Sequence, residues 1–230
     1  MNHRIQLTID SLEGKKDISF EVKKIINGGH SARDKSSVKA HIKEMEKIKI
    51  PGPKNIPTFI PLSNNMITTE STIQVQHEKT NGEIEFMLLQ KEGEWYVTIG
   101  SDHSDRDLAT YSIPASKQVY PNIIAPIVWP VNEVVNHWDE IEMKLWVVVN
   151  GEKELYQNGK FEEILPLNFW IRKMEELNLN KHGSAVMAGT IQTKGELKYG
   201  ERIEFEMNDP VLKRKIHSFY DLFILMPAIE

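Results

Sequence analysis

The 230-residue sequence predicts a strand-rich α+β fold on three observations. Segments that alternate apolar and polar residues dominate the chain. Only two stretches carry the three-to-four spacing of an apolar helix face. Strands and helices do not succeed one another as they do in doubly wound sheets.

The elements follow in order. "RIQLTID" alternates, "SLEGKK" reads as a turn and "DISFEVKKI" alternates again, so the chain opens on a hairpin. Residues 1–25 are expected as a small N-terminal hairpin lobe and 26–230 as the main domain. "SSVKAHIKEMEKI" is the first helix, capped by Ser36 or Ser37, with Val38, Ile42 and Met45 as its apolar stripe. The prolines of "PGPKNIPTFIP" stop it and impose extended chain. Residues 72–101 return to β. "YPNIIAPIVWP" reads as a proline-punctuated loop with apolar anchors. "IEMKLWVVVNGEKELYQNGK" is a strand, an Asn-Gly turn and a second strand. The second helix lies in "FEEILPLNFWIRKMEEL" and starts late, because Pro166 cannot sit inside it. "GSAVMAGTI", "ELKYGERIEFEM" and "KIHSFYDLFILM" are the closing strands.

Composition excludes several function classes. There is no cysteine, so disulfides and thiolate metal sites are ruled out and any metal must sit on oxygen or nitrogen. A formal charge of −5 gives no electrostatic case for nucleic acid or an anionic membrane. "MNHRIQLTID" has no apolar core of a signal peptide, and no run approaches the roughly 20 apolar residues of a membrane helix. A soluble cytoplasmic protein is the expectation.

The stretch "WYVTIGSDHSDRD" holds the chemical interest. It starts as a strand and ends in three aspartates, a histidine and an arginine, which is either a polar turn or a group of side chains that hold a ligand. A two-residue turn at Glu92-Gly93 would fold it back on "EIEFMLLQ", with glycine supplying positive φ. Glu83 then lies opposite Asp102, and Glu85 opposite Gly100. Strand alternation puts Glu83, Glu85 and Asp102 on one face and Ile84, Phe86 and Leu88 on the other. Three carboxylates on one patch need a cation or a proton among them, and Gly100 is expected to leave room above them. Carboxylate oxygens in this number suit Mg²⁺ or Mn²⁺; a solvated outer face is the plain alternative.

In sequence order, "HIKEM", "PGPKNIPTFIPL", "EIEF", "GSDHSDRDL" with "ASKQVYPNIIAPIVWP", "LWVVVNGEKELYQNG" and "GSAVMAGTIQTKGELKYGERIEFEM" resemble the fumarylacetoacetate hydrolase-like superfamily, over about residues 24–207. The resemblance implies a rolled, mostly antiparallel β-structure, usually dimeric, with residues 26–230 as the catalytic domain. It also implies a carboxylate-bound Mg²⁺ or Mn²⁺ and a substrate that is a small 2-oxo or 1,3-dicarbonyl carboxylic acid. Members cleave or rearrange a bond beside the oxo group: C–C hydrolases, decarboxylases, hydratases and isomerases. Carried over by position, Glu83, Glu85 and Asp102 are the metal ligands, and His41 with Glu44 the water-activating pair. Lys117 becomes the oxyanion or substrate contact, and Gly189 with Thr190 the contact to a substrate carboxylate. The chain departs from the family where "NGGHSARDKSSVKAH" replaces the usual N-Y-x-x-H run, and where His103 and Asp105 stand in "GSDHSDRD".

His41 and Glu44, three apart on a helix, share a face and form either a general base or solvated helix decoration. Arg106 is expected either to clamp a substrate carboxylate or to pair with Asp105 or Asp107. His30 sits in a glycine-rich loop, as a lid residue or an exposed loop histidine, and His103 is an outer partner of the carboxylates or a surface residue. The implied activity is a metal-dependent hydrolase or lyase. The alternative of another class is a metal-binding protein of the same fold without turnover.

Overall fold

In the computed structural model, residues 3–36, 38–39, 42–43 and 52–229 are described. The chain runs through β1 (His3–Ser11), β2 (Gly14–Val22), β3 (Lys24–Gly29), β4 (Thr58–Leu62), β5 (Ile67–Thr68), β6 (Thr72–Val75), β7 (Thr80–Lys91) and β8 (Glu94–Asp105). Two short helices follow, α1 (Arg106–Ala109) and α2 (Ile113–Gln118), then β9 (Asn122–Ile124), β10 (Ile127–Pro130) and α3 (Val131–Val134). The remainder is β11 (Glu142–Val149), β12 (Glu152–Lys160), α4 (Leu167–Glu176), β13 (Ser184–Thr190), β14 (Arg202–Asp209) and β15 (Arg214–Ile224). The helix expected over 36–48 is helical at residues 35–36, 38–39 and 42–43; His41 and Glu44 lie outside the described residues.

The strands form two curled sheets. The larger runs β2-β1-β10-β8-β7-β13-β3-β4, with β9 joined to β8 and β5 to β9. Its pairings are antiparallel except β1–β10, β13–β3 and β5–β9. The smaller sheet runs β12-β11-β14-β15-β6. The expected strand-rich α+β architecture is therefore the observed one. One expectation is corrected: "YPNIIAPIVWP" is not a loop but holds β9 and β10. The segment around Lys117 is the helix α2.

The turns are where glycine matters. Glu92 and Gly93 have φ of 53° and 96°, and Asn150 and Gly151 have 53° and 81°. Positive φ at both central residues matches strand twist and closes each hairpin in two residues.

The β7–β8 hairpin is the centre of the molecule, buried on both sides. On one face Ile84, Phe86, Leu88, Val97 and Ile99 join the larger core, where Phe86 meets the Phe161 ring at 4.6 Å and Trp138 edge-on at 5.1 Å. On the other, Met87, Leu89 and Tyr96 pack with Ile5, Leu7, Phe20 and Val22 of the N-terminal hairpin. Helix α4 starts directly after Pro166, as its ring requires. It buries Leu167, Trp170 and Met174, spaced three and four apart. Among the described residues, no helix is long and apolar enough to cross a membrane.

Candidate active site

Strand β8 does not end in a turn. It continues through the acidic stretch to Asp105, and Ser101, Asp102 and His103 are fully buried. The polar-turn reading is thus overturned. Asp105 supplies the stop, its side chain accepting from Leu108 N at 2.8 Å to cap α1.

The register pairs Glu83 with Asp102 and Glu85 with Gly100, as the turn at Glu92-Gly93 dictates. Along one face of the hairpin, apolar Met87 and Leu89 give way to Glu85, Glu83 and Asn81, with Asp102 and Ser104 across from them. Glu85 and Asp102 are buried, and Glu83 is nearly so. Gly100 leaves no open room, which corrects that expectation. A Cβ there would stand 2.7 Å from Ile123 O, so the missing side chain admits the backbone of β9.

Each carboxylate has a different partner. Lys117, in the last turn of α2, donates to Asp102 Oδ2, while the buried Oδ1 of Asp102 has no hydrogen-bond partner. Arg106 lies 3.2 Å from Glu83 Oε2 and its Nε donates to Asn81 Oδ1. It pairs with neither Asp105 nor Asp107, the expected partners. Glu85 accepts from the backbone N–H of Gly189 at 2.8 Å. Burial pushes the Glu85 carboxyl up to about 8; Lys117 and the Gly189 N–H pull it down and Glu83 pushes it further up.

Gly189 and Thr190 occupy a bulge. Met187 pairs with Met87 and Thr190 with Glu85, so Ala188 and Gly189 together oppose Phe86. Gly189 has φ of 83°, and an added Cβ would collide with Ser31 Oγ. Its N–H is given to Glu85, and the Thr190 hydroxyl donates to Ile84 O at 2.7 Å. The two donors expected for a substrate carboxylate are therefore engaged inside the fold.

His103 points to the opposite face. Its Nδ1 is 2.9 Å from the Tyr220 hydroxyl, which is also 2.9 Å from Ser101 Oγ. Burial, with Arg106 adding repulsion, pushes His103 down to about 3, so it is a neutral buried histidine and not a surface residue. The loop after β3 packs against the Gly189 bulge. Ser31 donates to Ala188 O at 2.6 Å, and His30 beside it holds φ of 54°.

Three hard-oxygen donors thus face two side-chain cations, with one buried carboxylate oxygen unpartnered and one carboxyl raised by burial. With the Glu85 carboxyl protonated the two cations balance Glu83 and Asp102; an ionised Glu85 calls for one more positive charge, and the donor type fits a hard divalent ion. As placed, no three His, Asp or Glu side chains among the described residues converge into a metal cluster; Lys117 engages Asp102, and Arg106 lies beside Glu83.

The sheet arrangement is the fumarylacetoacetate hydrolase-like fold. The chain is similar to 2-keto-3-deoxy-D-arabinonate dehydratase in its apo form, with 17% identity, 89% of this chain and 74% of the other covered, and a TM-score of 0.65. The complex of that dehydratase with magnesium and 2,5-dioxopentanoate matches at 17% identity, over 88% and 74% of the two chains, with a TM-score of 0.60. Yeast ynq8, a fumarylacetoacetate hydrolase family protein, matches at 18% identity, over 91% and 97%, with a TM-score of 0.62. By sequence the chain belongs to the family described as protein of unknown function (DUF2848), whose model matches residues 28–220. No curated protein matches it by sequence.

Proposed function

We propose that the chain is a divalent-metal-dependent enzyme acting on a bond beside the oxo group of a 2-oxo or 1,3-dicarbonyl carboxylic acid. The observation that carries this reading is the buried face shared by Glu83, Glu85 and Asp102, where one Asp102 oxygen has no partner and the Glu85 carboxyl is pushed up by burial despite Lys117 and Arg106 nearby. Mg²⁺ or Mn²⁺ would be held by these three carboxylates, and when bound it supplies Lewis-acid polarisation of a carbonyl oxygen. The magnesium complex of the dehydratase supports the choice of ion and of a 2-oxo substrate.

The chain's own cations do the rest. Arg106, mostly buried beside Glu83, presents a planar fork suited to a substrate carboxylate. The Gly189 N–H and the Thr190 hydroxyl, the donors implied by the family pattern, are given to Glu85 and to Ile84 O in the fold as it stands. Lys117 places an ammonium at Asp102 and neutralises the negative charge that develops on the substrate oxygen as the adjacent bond breaks. His30, on the loop against the Gly189 bulge, moves the proton. The His41–Glu44 pair implied by the family pattern is the competing source of that proton transfer.

Metal-stripped protein, resupplied with Mg²⁺ or Mn²⁺ and offered a panel of 2-oxo and 1,3-dicarbonyl acids, tests the reading. Turnover that requires the metal and is lost in Glu85→Gln supports it, and the products tell hydrolysis from decarboxylation, dehydration or isomerisation. A protein that binds the ion and turns over none of the panel is instead the non-catalytic binding protein.

A further inference from the structure

Gln157 belongs to β12 of the smaller sheet, yet its side chain reaches the larger one. It is fully buried. Its Oε1 accepts from Ile84 N at 2.8 Å, and its Nε2 donates to Thr190 Oγ1 at 2.8 Å and to Ile191 O at 2.7 Å. The Thr190 hydroxyl in turn donates to Ile84 O at 2.7 Å.

Ile84 is the residue between Glu83 and Glu85. Its N–H belongs to the peptide that follows Glu83, and its C=O to the peptide that precedes Glu85. Both peptides are therefore held by side chains. The cause is the bulge, since β13 slips register between Met187 and Thr190 and ends there. A primary amide has the same donor and acceptor as a peptide group, so Gln157 continues the ladder where the strand runs out. An isolated bridge between Gln157 and Thr193 fixes the amide's own backbone.

We propose that Gln157 is the positioning residue for the Glu83 and Glu85 carboxylates, acting through the Ile84 peptides with Thr190 as its relay. The proposal rests on the reading that these carboxylates hold a divalent ion. Gln157 touches neither substrate nor ion. It sets the direction in which the two side chains leave the strand, and hence how well they share one cation. A neighbour that orients a ligand in this way typically contributes roughly 10- to 100-fold in metal affinity.

The test is Mn²⁺ affinity of the full-length protein, read from the paramagnetic resonance signal of free Mn²⁺, beside thermal stability and far-ultraviolet circular dichroism. Gln157→Leu removes the amide at similar volume, Thr190→Val removes the hydroxyl relay, and Thr190→Ser keeps it. Wild type and Thr190→Ser are expected to bind Mn²⁺ alike, while Gln157→Leu and Thr190→Val, still folded, lose at least tenfold in affinity. Folded Gln157→Leu or Thr190→Val protein that binds Mn²⁺ as tightly as wild type, whatever its loss of thermal stability, overturns the positioning role and leaves the metal site standing. Should Gln157→Leu not fold, Gln157→Met takes its place, removing both contacts of the amide at similar volume, while Thr190→Val cuts only the arm that reaches Ile84 O; folded Gln157→Met that binds Mn²⁺ as wild type does overturns the positioning role. Absence of Mn²⁺ binding by the wild type defeats the metal reading itself, before any variant is compared.

Discussion

Lys117 donates to one carboxylate oxygen of Asp102 and leaves the other, fully buried, without a partner. The pair joins helix α2 to the C-terminal part of strand β8, and both members are largely out of water. Removing one partner of a buried pair strands the other's charge, which costs more than the pair itself contributes.

In metal-free protein, Lys117→Met should therefore destabilise by about 3–5 kcal/mol. Adding Asp102→Asn to it should restore a large part of the loss. Urea unfolding of the two single variants and the double variant measures this. Equal, additive losses would mean that the two side chains do not interact.

Gly189→Ala should cost about 1–3 kcal/mol from backbone strain at φ of 83°, together with the collision against Ser31 Oγ. Adding Ser31→Ala removes the collision and leaves the strain, so the double variant should recover only in part. Full recovery would show that the left-handed conformation carries no penalty there.

The β7–β8 hairpin was legible in the sequence because a two-residue turn with glycine second leaves one register, and that register puts Glu83 against Asp102. What followed Gly100 was not legible. Asp102 and His103 carry the composition of a loop, and their burial depends on Lys117 for the first and on Tyr220 and Asn122 for the second. β9 and β10 are three and four residues long, too short for alternation to register, and prolines flank them. The bulge at Ala188 and Gly189 has no periodic signal either. It turns the Gly189 N–H to Glu85 and the Thr190 hydroxyl to Ile84 O, and it made Gln157, a side chain from the other sheet, invisible to strand-by-strand reading.

Acid should remove a defined part of the stability. Burial pushes the Asp209 carboxyl up, but the Leu212 N–H, His137 at 3.0 Å and the Val211 N–H outweigh it and hold the group below its ordinary value. A carboxyl with a depressed folded pKa stabilises fully above its unfolded pKa and loses that contribution as pH falls through the folded one. Wild type should thus lose stability progressively from the ordinary carboxylate range downward. Asp209→Asn should be less stable at neutral pH and show a flatter acid limb. Unfolding free energies measured across that range check both, and parallel profiles would contradict the assignment.

His30→Asn should keep Mn²⁺ affinity and lose turnover by about 10²- to 10⁴-fold, the usual contribution of a positioned acid or base. His41→Asn, assayed beside it on the same substrate, decides between the two histidines. Loss confined to His41→Asn removes His30 from the chemistry.

On the proposed reading Glu83, Glu85 and Asp102 share one divalent ion. Calorimetric titration of metal-stripped protein with Mg²⁺ and with Mn²⁺, beside a Glu83→Gln/Glu85→Gln variant, decides it. Saturable binding near one ion per chain, lost in the double variant, is the predicted result. Binding that survives in the double variant, or none in the wild type, would contradict it and leave the hairpin as a buried ion-pair network in which Lys117 and Arg106 are the final counter-charges.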